Sequence, residues 1–197
     1  MMRACLTAFL ALAGAGTMVT DAFADGRLDA RYRLSLGGLE LGRVALLVEI
    51  DSNSYIASGS GRLTGVVQAV STGKGTAGAR GAISGGALAP RSFAMEAESD
   101  KKSEAIRLVM TPAGVSDMRV EPPVVPSPDR VPVADKDKRG IFDPMTAALV
   151  MVPGTEAPVS EKACERTLAI FDGRQRYDLV LSYERIDEVK ADKGYAG

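Results

Sequence analysis

Alternation of apolar and polar residues is the feature that most restricts the fold of this chain. Between residues 30 and 36 the even positions are apolar and the odd positions carry Arg or Ser. Similar patterns recur at residues 93–97 and 106–110. A period of two places successive side chains on opposite faces of an extended backbone. The pattern therefore predicts half-buried β-strands.

Turn residues separate these segments at short intervals. Gly37-Gly38 lies between the first strand and a returning apolar segment at 39–50, and a third strand is expected to start at Tyr55. Further turn clusters lie at residues 51–54, 99–102 and 112–114. Many short strands with abundant turns favour an antiparallel sheet. The predicted fold class is mainly β: a single antiparallel, curved or partly closed barrel-like sheet with one short helix.

Nine of the 21 glycines lie between Gly59 and Gly86. Glycine weakens regular structure unless the backbone bends or closely approaches another group. This segment is predicted to form bent or bulged strands over 61–70 and then a flexible connection. It also spells G-x-G-x-x-G at 73–78 and S-x-x-K at 71–74. Neither motif is followed by the helix that nucleotide binding or a serine–lysine enzyme requires, which favours a glycine-rich loop.

The one helix is expected directly after Asp143. Asp143 is a good N-cap, Pro144 suits the first helical position, and residues 145–152 follow as the helix body. Five prolines between residues 121 and 133 predict an extended backbone before it.

A β-hairpin is predicted near the C-terminal end of the chain. Its strands are residues 167–171 and 174–183, around a two-residue turn at Asp172-Gly173. One face of the second strand is expected to carry Arg174, Arg176 and Asp178, and the inward face Tyr177, Leu179 and Leu181.

The charged residues of this hairpin have two interpretations. Ion pairing on a solvated face is the favoured interpretation of Asp172, Arg174, Arg176 and Asp178. The alternative is an anion-binding or partner surface, because two guanidinium groups on one side can clamp a phosphate or a carboxylate.

The N-terminal residues have the composition of a secretory signal peptide. Arg3 precedes a small, apolar stretch, and residues 22–24 supply the small-x-small pattern of a cleavage site after Ala24. The domain prediction is a signal peptide at 1–24 and a single β-rich exported domain at 25–197 without a transmembrane segment. Cys164 would then be the one cysteine of the mature chain. In an oxidising compartment a disulfide is the favoured role for it, rather than catalysis.

Composition excludes several classes of function. The net charge is −1, which argues against a nucleic-acid partner. The chain has no His, which removes Ser-His and Cys-His catalysis and nearly every zinc site. No cofactor, metal or catalytic residue is predicted. A carboxylate-based glycan hydrolase needs no histidine, and Asp172, Asp178 and Glu184 are its candidate residues.

Several segments resemble a known family. They are residues 38–42, 60–65 and 143–147, and above all Cys164-x-Arg166 leading to residues 171–179. The chain is similar there to the Gram-negative envelope family known as domain of unknown function 3108. The resemblance implies a periplasmic, β-rich protein with no established activity. It also implies that Cys164 is half of a disulfide whose partner lies further along the family sequence, so that this chain is truncated at its C-terminus.

Three functions from different classes remain open. The leading hypothesis is a non-enzymatic envelope protein with a structural role, or one that binds an apolar ligand such as a lipid. The second is an interaction module that presents Arg174 and Arg176, or the proline-rich segment, to another envelope protein. The third is the carboxylate-based hydrolase.

Overall fold

The computed structural model describes residues 26–69, 72–126, 128, 131–149 and 161–185. Within these ranges seven strands form one sheet: β1 (Gly26–Leu36), β2 (Leu39–Ile50), β3 (Ser54–Leu63), β4 (Gly73–Ser84), β5 (Ala87–Ser99), β6 (Ser103–Thr111) and β7 (Gly114–Glu121). The predicted signal peptide, residues 1–24, and the cleavage site after Ala24 lie outside the described residues.

The sheet is an antiparallel meander in which each strand pairs with the next one along the chain. Its glycine turns follow from backbone geometry. Gly37 and Gly38 have φ values of 57° and 82°, and Gly85 and Gly86 have values of 57° and 78°. Only glycine adopts such angles without strain, and two successive positive φ values make the tight turn that matches the twist of a hairpin.

The sheet is curled but open, with β1 and β7 as its two edges. Three β-bulges interrupt its register, at Leu34/Ser35, Arg80/Gly81 and Val109/Met110. A bulge bends its strand and increases the local twist, which contributes to the curl. The prediction of a mainly β, curved antiparallel sheet is confirmed.

The prediction of a flexible connection in the glycine-rich segment is wrong. Residues 73–84 form β4, which is paired with both β3 and β5. An added Cβ at Gly75 would lie 3.1 Å from the Glu96 carbonyl oxygen. These glycines therefore permit close approach of neighbouring groups within a regular strand. The G-x-G-x-x-G motif lies in that strand, not in a loop.

The helix after Asp143 is confirmed but is shorter than predicted. Helix α1 spans Pro144–Ala148, and a carboxylate oxygen of Asp143 accepts the Thr146 backbone N–H at 2.9 Å. Residues 150–152 of the predicted helix lie outside the described ranges. A second helical turn, α2 (Glu161–Cys164), was not predicted.

The C-terminal hairpin is formed by β8 (Arg166–Phe171) and β9 (Arg176–Leu181). Its turn has four residues, 172–175, so the two-residue turn was a wrong prediction. The carboxylate of Asp172 accepts the backbone N–H groups of Arg174 and Gln175, both at 2.7 Å. These two bonds hold Arg174 in the turn, which removes it from the strand face that Arg176 and Asp178 share.

The core lies between one face of the sheet and a cover made of α1 and the hairpin. The main cluster joins that face to the cover and comprises Ala79, Phe93, Ile106, Leu108, Met110, Ile141 and Phe171. On the other side of β8, Leu168 and Ile170 pack with Ala147 of α1. The sheet face that carries Phe93 and Leu108 is called the apolar face below, and the opposite one the polar face.

Candidate functional site

The polar face carries a groove across β1–β5. Two adjoining cavities, of about 970 and 570 Å³, share lining residues there. Strand register explains the groove. Directly opposed residues on neighbouring strands form a row across the sheet, called a rung here, and one such rung has small side chains between two charged ends. This rung consists of Arg31, Ala45, Ser60, Thr76 and Glu96. Small side chains leave space above the backbone, and the two hydroxyls provide hydrogen-bond donors inside it.

The next rung along the strands is the cation row. Arg33 lies opposite Arg43, Arg43 opposite Arg62, and Arg62 opposite Lys74, on the four strands β1–β4. All four side chains line the groove. Neighbouring strands are about 4.8 Å apart, so the row spans roughly 14 Å.

Two carboxylates neutralise part of the cation row. Glu40 contacts Arg43 at 2.7 Å and Arg33 at 3.2 Å. Its hydrogen bonds with Arg43 and Thr64 lower the pKa of Glu40 to about 2. Glu98 contacts Lys74 at 3.1 Å. The Arg62 side chain makes no salt bridge or hydrogen bond within the described part of the chain.

A β-bulge sets the register of the cation row. Ser35 pairs with Glu40, but Leu34 pairs with Gly42, so Leu41 is the extra residue on β2. Without this bulge Arg33 would lie opposite Gly42 and not opposite Arg43. The bulge therefore aligns the first two cations of the row.

The apolar face is covered over only part of its width. Helix α1 packs against β3, β4 and β5. Along the rung that contains Phe93, the exposed fraction falls from 50% at Leu28 of β1 to 3% at Val48 of β2. Tyr32 and Leu34 are each 51% exposed, and Leu36 is 72% exposed. The apolar side chains of β1 thus lie on the face that forms the core elsewhere in the sheet, but they are in contact with solvent.

A strip that lacks large side chains at its middle, called the channel below, continues this exposed region across the sheet. Tyr32, Val44, Gly61, Gly75 and Ala97 lie directly opposite one another on β1–β5. Because Gly61 and Gly75 are adjacent, no side chain projects from the middle of the rung. The open apolar face is defined here as this rung together with Leu28, Leu34 and Leu36.

Arg174 connects the hairpin to the sheet. Its Nη2 donates to the carbonyl oxygens of Glu121 and Pro122, at 3.2 and 3.0 Å, and its Nε is buried without a hydrogen-bond partner. Asp172 is occupied by the backbone of the turn. The structure therefore places both residues where they stabilise the hairpin.

Arg176 and Asp178 form a salt bridge with each other at 2.7 Å on β9. Tyr177 and Leu179, which were expected to face inward, remain 43% exposed because β9 is the outer strand of the hairpin. Arg174 and Arg176 do not form a pair on one face. The anion-binding interpretation of this hairpin stays a prediction.

The remaining predicted residues lie apart from the groove. Cys164 ends α2 with an exposed, free thiol, so its disulfide stays a prediction. Of the three candidate carboxylates, Asp172 and Asp178 have the partners described above and Glu184 pairs with Arg185 at 3.1 Å. No group of metal-ligating side chains occurs among the described residues. None of the described helices has the length and apolar character to cross a membrane.

A buried polar network joins α1 to the sheet. The Thr146 hydroxyl donates to Asp143 at 2.6 Å, so the Tyr55 hydroxyl, 2.7 Å from Thr146 Oγ1, is the donor in that contact. All three side chains are fully buried. Burial raises the pKa of Tyr55 to about 12 and also raises the pKa of Asp143. Every hydroxyl in the network has a partner, which is typical of a structural connection.

Comparison with known families identifies the chain. The model of a family described as "Protein of unknown function (DUF3108)" matches residues 31–197. The chain belongs to this family. No curated protein and no solved structure matches it. Membership in DUF3108 confirms the resemblance carried by the Cys164-x-Arg166 segment and residues 171–179.

Sequence reasoning missed the cation row of this DUF3108 protein. The four residues are spread over residues 33–74, and strand pairing alone brings them together. The Gly37-Gly38 turn would have predicted the pairing of β1 with β2, but it gives the wrong partner for Arg33 because of the bulge.

Proposed function

We propose that this protein is a non-enzymatic, exported envelope protein that binds the hydrocarbon chain of an amphiphile on the open apolar face. The observation that carries the proposal is the exposure of the apolar side chains on β1, on the same face of the sheet that forms the core further along. Large exposed apolar patches mark binding surfaces in soluble proteins. Export is supported by the signal-peptide composition of residues 1–24.

The channel rung suits a hydrocarbon chain. Its walls are Tyr32, Val44 and Ala97, and none of its five positions carries a charge. Packing does not demand glycine at Gly61, since an added Cβ would approach Val44 Cγ2 no closer than 3.6 Å. A larger residue would fit at this position, so glycine at position 61 leaves open space above the strand. Each methylene that leaves water there would contribute about 0.8 kcal/mol.

A matched pair of variants tests the proposal. Gly61→Leu fills the channel, whereas Gly78→Leu places the same side chain on the polar face, where an added Cβ lies 3.7 Å from its nearest neighbour, the Ala57 carbonyl oxygen. We expect the purified protein to bind a fluorescent fatty acid, Gly61→Leu to weaken that binding at least tenfold, and Gly78→Leu to change it less than twofold.

The control is circular dichroism and urea unfolding of both variants, which must show an intact fold. Mass spectrometry of an organic extract of the native protein should detect an amphiphile. Equal fatty-acid binding by the two variants, or no binding by the wild type, would contradict the proposal.

A second candidate function is the interaction module. The observation that favours it is the exposure of β9, where Val180 is 71% exposed next to Tyr177 and Leu179. Because Arg174 supports the hairpin, Arg176→Ala combined with Val180→Ser is a cleaner variant than the double arginine change. Loss of a cross-linked envelope partner in that variant, with folding intact, would support this function. The hydrolase alternative gains no support, since Asp172 and Asp178 are already engaged.

A further inference from the structure

The cation row has a composition that the fold does not need. Its four positions lie on a solvated sheet face, where Ser or Thr would serve the strands equally well. Like charges directly opposite each other on neighbouring strands destabilise a sheet. Three such oppositions follow one another here, from Arg33 to Arg43, Arg62 and Lys74.

Among the described residues, two carboxylates form salt bridges with the four cations, whereas Glu96 and Glu104, which also line the groove, pair with Arg107 and Lys102. Glu40 serves both Arg33 and Arg43, and Glu98 serves Lys74. The guanidinium of Arg62 keeps all its donors free at the centre of the row, as far as the described residues extend. The bulge at Leu34/Ser35 increases this charge density, because it brings Arg33 opposite Arg43.

Arg62 lines a groove that is open to solvent. The groove of about 970 Å³ is lined by the whole cation row, with Ser60 and Thr76 in the adjacent rung. Guanidinium groups bind phosphate through two parallel hydrogen bonds, and hydroxyls add neutral donors to the same oxygens. A row about 14 Å long exceeds one phosphate and matches several in succession.

We propose that the cation row binds a soluble ligand with two or more phosphate groups, which lies in the groove with Arg62 at its centre. This site is on the face opposite to the open apolar face, so the inference goes beyond the proposed function and does not depend on it. Arg62 and Lys74 bind phosphate directly. Arg33 and Arg43 share their charge between Glu40 and the ligand.

Tripolyphosphate is the probe, and calorimetric titration of the full purified protein is the measurement. Arg62→Gln removes the central charge but keeps a polar side chain. Arg80→Gln is the matched control, because Arg80 is an exposed arginine on the same face of β4, in a rung outside the groove. We expect Arg62→Gln to weaken binding at least tenfold and Arg80→Gln less than twofold. Arg62→Lys should retain part of the affinity, since lysine keeps the positive charge but lacks the two parallel donors of a guanidinium group.

Salt and vesicles decide between sources of phosphate. Raising the salt concentration from 50 to 300 mM should weaken tripolyphosphate binding, as charge-dominated binding is screened. No binding by the wild type, or equal losses in Arg62→Gln and Arg80→Gln, would overturn the proposal. Arg62-dependent sedimentation with phosphatidylglycerol vesicles, without binding of tripolyphosphate, would also overturn it in favour of a membrane surface. Failure of fatty-acid binding would leave this site unaffected.

Discussion

The two ends of the sheet use the same alternating strands for different purposes. At the covered end, α1 and the hairpin bury the apolar face around Phe93 and Leu108, and the core side chains there are almost inaccessible to solvent. On β1 the equivalent side chains are about half exposed, and the polar face of β1–β4 carries four opposed cations. The covered end is therefore arranged for stability. The open end retains two unfavourable arrangements, namely exposed apolar side chains and directly opposed cations. Such arrangements are expected where a surface is used for recognition.

Two leucine truncations give the largest expected contrast between these ends. Leu108 is 1% exposed in the core cluster, so Leu108→Ala should lower the free energy of unfolding by about 2–5 kcal/mol. Leu36 lies at the open end, and Leu36→Ala should change the free energy of unfolding by less than about 0.5 kcal/mol. Urea unfolding followed by circular dichroism measures both. Similar losses in the two variants would show that β1 is packed in solution.

Glycine substitutions sharpen the contrast at the level of backbone contacts. A Cβ at Gly81 would overlap the Ala89 carbonyl oxygen and lie 2.5 Å from the Tyr55 hydroxyl oxygen. We expect Gly81→Ala to destabilise the protein by about 1–3 kcal/mol. Gly61→Ala meets only ordinary contacts and should be neutral or stabilise it by about 0.4–1 kcal/mol. Thermal unfolding of both variants tests this, and a destabilised Gly61→Ala would mean that the channel is filled.

The buried network at the covered end should give a smaller, pH-dependent effect. Tyr55→Phe removes one hydrogen bond and should cost about 1 kcal/mol at neutral pH. Burial raises the pKa of Tyr55 to about 12 from 10.0. Below pH 10 the phenol is protonated in both states, so its contribution is complete there.

As the pH rises from 10 to 12 the unfolded chain ionises first. The wild type should then lose up to about 1.4 kcal/mol of stability per pH unit more than Tyr55→Phe does. Urea unfolding at pH 8 and pH 11 makes the comparison, with Tyr32→Phe on the open face as the control. Parallel pH profiles of wild type and Tyr55→Phe would contradict burial of this phenol.

Relief of charge repulsion at the open end should give the smallest effect, with the opposite sign. Arg62→Thr removes the central cation and should stabilise the protein by a few tenths of a kcal/mol at low salt. The gain should disappear at high salt, since exposed charges are screened. Arg80→Thr controls for strand propensity and should lack the salt dependence. A destabilised Arg62→Thr would show that Arg62 supports the sheet.

Local signals were sufficient for much of the fold. Alternation over residues 30–36 and the Gly37-Gly38 turn predicted the first hairpin, and Asp143-Pro144 predicted the start of α1. Strand β4 escaped prediction because its glycines read as a loop. Glycine is needed at position 81 because the Tyr55 ring on the neighbouring strand leaves no room for a Cβ, and the local sequence does not show this contact.

The candidate sites depended on non-local information. Tyr55 and Thr146 are 91 residues apart in the chain, and their contact follows from the packing of α1 on the sheet. The hairpin charges were easy to notice because they are adjacent in sequence, yet Asp172 and Arg174 are committed to the turn and to β7. The cation row was hidden because strand pairing alone brings its residues together and because a bulge decides which residue lies opposite Arg33.

The order of elements along the chain has a consequence for biosynthesis. All seven strands of the sheet precede the residues that cover it, and Phe171 comes 50 residues after the end of β7 at Glu121. A ribosome adds about 5–20 residues per second, so this interval lasts about 3–10 s. During that time the hairpins can already close, because every pairing is between successive strands. The order of elements therefore means that the strands of the apolar face are synthesised before the residues that cover it.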